Sequence, residues 1–203
     1  TFIYRDKDNF LQHLAQVKND RMISEHKLSG ENQQNEIFFV KGYCGFCKKE
    51  SDFMVDWKLN YNGSPGYRER LVCNNCGLTA RKRMVATFLT EQYQVNQRLL
   101  CFEYKSNFFR ELEKKIPVGY IQGCEYLDEN FVSGTIIQGI MHQDIMAMSF
   151  KNESYDYIVA NDVLEHVSDY QKAFHEVLRV LKPHGKLVFT IPFHYQNEST
   201  TLR

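Results

Sequence analysis

The spacing of apolar residues changes character along the chain. Phe10, Leu11, Leu14 and Val17 fall at helical intervals, with Asp8 placed to cap that helix, and the polar stretch Ser29–Glu36 reads as a linker. Phe53, Val55, Trp57, Leu59 and Tyr61 then alternate as in a strand and run into the turn Asn62-Gly63-Ser64-Pro65-Gly66. Met84, Val85, Phe88 and Leu89 return to helical spacing. Beyond them come apolar runs that predict strands at Arg98–Glu103, Tyr120–Cys124, Ile136–Met141, Tyr155–Ala160 and Lys186–Ile191. One helix is predicted over Phe108, Phe109, Leu112 and Ile116, capped by Ser106 or Asn107 and stopped by Pro117. A second is predicted from Tyr170 through Ala173, Phe174, Val177, Leu178, Val180 and Leu181, stopped by Pro183 and Gly185. Strand, crossover helix and strand in that order make the Tyr155–Pro192 stretch a βαβ unit, and the whole second half an alternating α/β domain with a parallel sheet.

This pattern divides the chain into a helical segment and linker (1–36), a turn-rich β module (37–80), a connecting helix (81–97) and the α/β domain (98–203). The 25 acidic and 25 basic residues cancel, so whole-chain charge demands neither a nucleic acid nor an acidic substrate. No apolar run reaches the length of a membrane span, and the N-terminal residues lack the pattern of a secretory signal, so a cytoplasmic protein with no membrane partner is expected.

Of six cysteines, four form the pairs Cys44-Gly-Phe-Cys47 and Cys73-Asn-Asn-Cys76. Two such knuckles, brought together by a hairpin, supply the four thiolates of a tetrahedral structural zinc site. A redox dithiol expects a single pair opening a helix, and local disulfides expect an oxidising compartment, so zinc is the stronger reading. A closed four-cysteine site has no open position for catalysis; it would hold together a zinc-ribbon-like module too small for its own core. Lys48, Lys49, Arg68, Arg70, Arg81, Lys82 and Arg83 surround the module. They either offset the negative charge of a thiolate-bound zinc or form a patch for an anionic partner.

Ligands of open α/β sheets bind beyond the carboxyl ends of the strands. The predicted strands end there in Glu103, Glu125, Asp144 and the pair Asn161-Asp162. Each alone is an ordinary solvated strand end; four on one edge suggest a site.

The stretch YDYIVANDVLEHV followed by AFHEVLRVLKPHGKLVFTIP resembles the second half of class I methyltransferases, which use S-adenosylmethionine. Upstream, Gly42-Tyr43-Cys44, Arg68-Glu69-Arg70-Leu71-Val72-Cys73, Cys76-Gly77, Arg81 and Arg83 are similar to a variant subfamily. That subfamily carries a zinc segment and has an acidic residue where most members have a glycine-rich first loop. The resemblance implies a Rossmann-like sheet of which five strands are present, so the domain is expected to be incomplete at its C-terminus. It also implies S-adenosylmethionine or S-adenosylhomocysteine as the bound cofactor. Glu103 would then take the donor's ammonium and the next helix's N-terminus its carboxylate, Glu125 would accept from the ribose diol, and Asp144 with the Ile145 amide would read the adenine. Asn161 and Asp162 would border donor and acceptor.

Asp162, His166 and His194 are candidate general bases, none favoured, and His166 is expected to pack beneath its loop. The acceptor implied is a small molecule, a sugar or a lipid-linked intermediate; RNA is the less favoured alternative. Two other readings compete. One is a degenerate, non-catalytic scaffold with a working zinc module, which the glycine-free loop favours. The other is a nicotinamide oxidoreductase, which expects a GxGxxG loop that the chain lacks.

Overall fold

The computed structural model describes residues 6–192 apart from Asn62. His194 lies outside the described residues. The chain forms two compact units that meet in sequence between Met84 and Val85. Among the described residues no helix is long and apolar enough to cross a membrane.

The first unit opens with α1 (Lys7–Glu31), followed by β1 (Ile37–Cys44), β2 (Lys49–Asp56), β3 (Asn60–Tyr61), β4 (Ser64–Pro65), α2 (Tyr67–Arg70) and β5 (Val72–Cys73). The first helix is capped by Asp6, whose carboxylate accepts from the Asn9 amide at 2.7 Å, and not by Asp8, which lies in its first turn. It also runs well past Val17 and takes in Ser29, Gly30 and Glu31 of the expected linker. Nothing between Val17 and Ser29 breaks a helix. Its end is anchored by the buried Ser29 hydroxyl, 2.6 Å from the Glu25 carbonyl and 3.0 Å from the Tyr67 hydroxyl.

β1 and β2 pair antiparallel from Ile37 opposite Asp56 to Cys44 opposite Lys49, so the hairpin loop is the first cysteine knuckle itself. Of the expected turn, Gly63 at φ 78° precedes β4, Ser64 and Pro65 form β4 itself, paired with β3, and Gly66 leads into α2. β5 pairs with the other side of β2. Phe38, Val55 and Tyr67 form the small core, with Leu28, Val40, Trp57 and Leu71 against it. Arg70 pairs with the buried Asp56 through both carboxylate oxygens and holds its pKa below the usual carboxylate range.

Helix α3 (Ala80–Gln92) carries the chain into the second unit, which contains β6 (Leu99–Cys101), α4 (Asn107–Glu113), β7 (Ile121–Gly123), β8 (Ile136–Ile137), β9 (Ile140–Met141), β10 (Tyr155–Asn161), a 3₁₀ turn at Leu164–His166, α5 (Tyr170–Val180) and β11 (Leu181–Thr190). Four strands form one sheet in the order β11-β10-β6-β7, parallel throughout. Leu100, Ile158 and Ala160 from the sheet pack with Ala173, Val177 and Val180 of α5 in the main core.

The segment Ile136–Met141 departs from expectation. It does not enter the sheet as a third strand. Gln138 at φ 50° and Gly139 at φ 80° fold it back on itself as the β8–β9 hairpin. The chain touches the sheet next at a single parallel bridge between Glu125 and His142. Apolar content alone could not separate a hairpin from a strand here, because the turn residues sit inside the run. At β11 the register jumps from Tyr155–Leu181 to Tyr157–Lys186. Lys182 to Gly185 bulge out between these pairs, with His184 at φ 65°.

Arg179, on α5, ties the loop before β10 to the helix. Its guanidinium donates to the carbonyls of Met148 (2.9 Å) and Phe150 (2.8 Å), to the Asn152 side chain (2.9 Å) and to both oxygens of Glu176. Arg179→Ala is expected to cost about 1–3 kcal/mol in urea unfolding, the range for hydrogen bonds to a charged group. The Arg179 hydrogen bond is also the main reason that Glu176 sits below its usual pKa. A depressed folded-state pKa contributes stability above the unfolded value, about 4.3, and loses it as pH falls. The gap between wild type and Arg179→Ala should therefore be widest near neutral pH and shrink on acidification. A gap that is the same at pH about 7 and about 3.5 would contradict this.

Candidate functional site

Two clusters of chemistry-bearing side chains emerge, one in each unit. In the first unit the sulfurs of Cys44, Cys47, Cys73 and Cys76 all lie within 4.8 Å of one another. The first pair is presented by the β1–β2 turn, where Lys48 at φ 56° reverses the chain. The second is presented by the turn after β5, where the Gly77 amide donates to the Cys73 carbonyl at 2.7 Å and Gly77 adopts φ 66°. Around a zinc with Zn–S bonds of about 2.3 Å, tetrahedral geometry sets sulfurs about 3.8 Å apart. The Cys47 and Cys73 sulfurs are 3.9 Å apart, so this donor set fits the ion.

The surroundings of this cluster are built for negative charge. The Ser51 hydroxyl lies 3.1 Å from the Cys73 sulfur. Arg83 donates to the Leu71 and Leu78 carbonyls, both at 2.7 Å, and its guanidinium stacks 4.5 Å above the Phe53 ring. Burial lowers the pKa of Arg83, and all four cysteines oppose that shift. Arg81 pairs with Glu69 at 2.8 Å and Arg70 with Asp56. Arg68 also pairs with Glu69 at 3.0 Å, so at least four of the seven basic residues noted in the sequence bind internal partners, which removes much of the charge that a nucleic-acid surface would use.

In the second unit, β6 continues to β7 on one side and has β10 on the other, so the connections diverge in opposite directions from the β6–β10 pair. That divergence opens a crevice at their carboxyl ends. Glu103 and Asn161 meet there: the buried Asn161 amide donates to a Glu103 carboxylate oxygen at 2.7 Å. The other end of the Asn161 side chain is 3.3 Å from the Thr190 hydroxyl, which also lies 3.3 Å from an Asp162 oxygen. Asp162 itself takes φ 52°, with its amide donating to the Thr190 carbonyl at 2.9 Å. One Glu125 oxygen accepts from the Lys105 amide at 2.8 Å, which ties the second strand end to the loop after the first. Asp144 accepts from the Met146 amide at 2.8 Å, its own amide donates to Ser133 at 2.9 Å, and the adjoining Ile145 is buried. His166 is exposed on the 3₁₀ turn, so it does not pack beneath the loop; the turn buries Leu164 instead.

The glycine-free loop has a compensation that the sequence reading missed. Residues 103–107 close as a tight turn, with the Ser106 amide donating to the Glu103 carbonyl at 3.0 Å and the Ser106 hydroxyl capping α4. The space for this turn comes from a glycine on the neighbouring strand. A Cβ at Gly123 would sit 2.6 Å from the Tyr104 ring and 2.7 Å from the Phe109 ring. Phe109 is buried and cannot yield. Gly123→Ala is therefore expected to cost about 1–3 kcal/mol, the range for overpacking, measured by chemical denaturation. A neutral result would show that the turn adjusts freely. His142 was missed as well. It is buried, accepts from the Leu127 amide at 3.1 Å and lies between the Tyr126 and Phe131 rings. No spacing in the sequence marked it.

Residues 120–189 match a family profile described as a methyltransferase domain. Phosphoethanolamine N-methyltransferase 2 of Caenorhabditis elegans is 33% identical over 48 residues, 24% of this chain and 11% of that protein. Among solved structures, the PH0226 protein of Pyrococcus horikoshii OT3 aligns at 21% identity with a TM-score of 0.43, over 54% of this chain and 56% of that one. The YcgJ protein of Bacillus subtilis aligns at 20% identity with a TM-score of 0.39, over 52% and 49%. The chain spans about half the length of these structures and about a tenth of the curated relative. The profile match runs from β7 into β11, so over this segment, with its parallel strands, the chain is similar to a methyltransferase domain.

Proposed function

We propose that the α/β unit binds S-adenosylmethionine and transfers its methyl group to a small-molecule acceptor. The observation that carries this reading is the Glu103–Asn161 contact at the carboxyl ends of β6 and β10, with Glu125 tied to the same loop through the Lys105 amide. Bound there, the cofactor supplies an electrophilic methyl group on a sulfonium. Glu103 takes the ammonium of its methionine portion. Glu125, held by the Lys105 amide through one oxygen, accepts from the ribose diol. Asp144 accepts from the adenine amino group, and the buried Ile145 gives the ring an apolar seat with its amide as reader. Asn161 and Asp162 border the donor and face the acceptor.

The reaction destroys charge, so positioning in a water-poor crevice gives most of the acceleration. The similarity to a phosphoethanolamine methyltransferase supports a small polar acceptor, with sugars in the same class. Titration calorimetry with S-adenosylhomocysteine tests the proposal: saturable binding in the micromolar range is expected. No heat at about 1 mM ligand overturns it.

The four cysteines hold one structural zinc, supported by the fit of their sulfurs to a tetrahedron. A second reading, a zinc-bearing scaffold without catalysis, draws on the absence of glycine from residues 103–107. It predicts a zinc-loaded protein that does not bind the donor, so the same titration separates the two.

A further inference from the structure

We propose that Asn161 is a positioning residue that acts through Glu103, with Thr190 setting the orientation of its amide. This rests on the donor reading given above. The three residues come from neighbouring strands. Thr190 is the register partner of Asn161 across β11 and β10, and Glu103 lies just past β6, the next strand. The side chains form a relay that runs across the crevice. The Thr190 hydroxyl meets the Asn161 oxygen at 3.3 Å, and the Asn161 nitrogen donates to Glu103 at 2.7 Å.

A carboxylate on a turn that projects into solvent would sample several rotamers, and each costs entropy to fix on binding. Asn161 is 5% exposed and sits on a strand buried along most of its length, so its own rotamer is fixed by the sheet. It therefore pins the Glu103 carboxylate before the ligand arrives. A neutral donor suits this place. An aspartate would set a second carboxylate against the first, and a leucine would leave the acceptor without its bond. Thr190 completes the arrangement: its hydroxyl, shared at 3.3 Å between the Asn161 oxygen and an Asp162 carboxylate oxygen, favours the orientation in which the amide presents its N–H₂ group and not its oxygen to Glu103.

The test is S-adenosylhomocysteine affinity as a function of pH in the full chain. Asn161→Ala is expected to weaken binding about tenfold at every pH, the scale of one charge-assisted bond. Asn161→Asp is the decisive variant. Two carboxylates at this distance share a proton at low pH. In the Asn161→Asp variant the introduced carboxyl, while protonated, donates to Glu103 as the amide did, and binding stays within about threefold of wild type near pH 5.5. As pH rises that proton leaves, the carboxylates repel, and affinity falls about tenfold or more by pH 8. Wild type should show no such step. A merely structural role for Asn161 would lower the melting temperature without creating a pH step in affinity.

Thr190→Val should weaken binding less than Asn161→Ala, because the amide keeps its place and loses only its orientation. Wild-type binding with Asn161→Ala and Asn161→Asp unchanged, or with Asn161→Asp tighter at high pH, overturns the positioning role alone. Failure of wild type to bind overturns the donor reading and the positioning role with it.

Discussion

Removal of zinc by a strong chelator is expected to unfold the first unit while the α/β unit keeps its own melting transition. The core of the first unit consists of Phe38, Val55 and Tyr67 with a few half-buried neighbours. A core of that size supplies only a few kcal/mol. Structural zinc in small modules contributes on the order of 10 kcal/mol of apparent folding free energy, so its loss exceeds what the core can hold. Cys73 is the most consequential of the four cysteines. It is fully buried on β5, the strand paired with β2, and its sulfur also faces Ser51. Cys73→Ser should lose zinc and the fold of this unit together.

The single tryptophan, Trp57, reports on the event because it lies in this unit against that core, with its indole donating to the Asn35 carbonyl at 2.8 Å. A red-shifted Trp57 emission should accompany release of one zinc per chain. Zinc release with unchanged Trp57 emission would show that the protein scaffold, not the metal, holds the unit. A preparation whose four cysteines never carry zinc would remove the premise.

The contrast between the two units shows what periodicity can and cannot reveal. The βαβ arrangement from Tyr155 was legible because α5 has one strongly apolar stripe and β10 is buried almost throughout, so length and spacing agree. The length of α1 was not legible, since its middle is polar and its end is fixed by Ser29 reaching Tyr67, 38 residues away. The hairpin Ile136–Met141 failed as a strand for a related reason. Its turn needs positive φ at Gln138 and Gly139, and a Gln-Gly pair inside an apolar run gives a weaker signal than Asn-Gly. The turn around Gly63 was legible, but it closes only the short β3–β4 pair, while the long hairpin turns at the first cysteine knuckle.

At the site, residue identity was more legible than interaction. Acidic residues at strand ends are visible in any α/β sequence, and the four cysteines announce their own chemistry. Partnerships were hidden because they cross long sequence separations: Asn161 reaches Glu103 over 58 positions and Arg70 reaches Asp56 over 14. This changes how the basic residues are read. Their abundance around the module suggested an anionic partner, yet Arg83 directs its charge at two backbone carbonyls beside the cysteines and Arg81 at Glu69. The missing glycines of the first loop changed meaning as well. The turn in their place packs Tyr104 and Phe109 against Gly123, one strand away, where a Cβ would clash.

Glu103→Gln should weaken S-adenosylhomocysteine by about tenfold to a hundredfold with little loss of fold stability. The two effects separate because the substitution keeps the shape and an oxygen able to accept from Asn161, so the contact at 2.7 Å survives as a neutral hydrogen bond. What disappears is the negative charge that the donor reading sets opposite the ligand's ammonium. A hydrogen bond to a charged group contributes about 1.5–3 kcal/mol, more than its neutral counterpart, and that difference falls on ligand binding and not on folding. Glu103→Lys adds repulsion and should abolish measurable binding. The affinity of wild type should weaken with added salt more steeply than that of Glu103→Gln, since the half-buried ion pair is then partly screened. Equal affinities for wild type and Glu103→Gln would place the ammonium elsewhere in the crevice. Equal salt slopes with unequal affinities would assign Glu103 a role in shape alone, and the glycine-free loop would then bind its ligand without using the carboxylate that replaced the glycines.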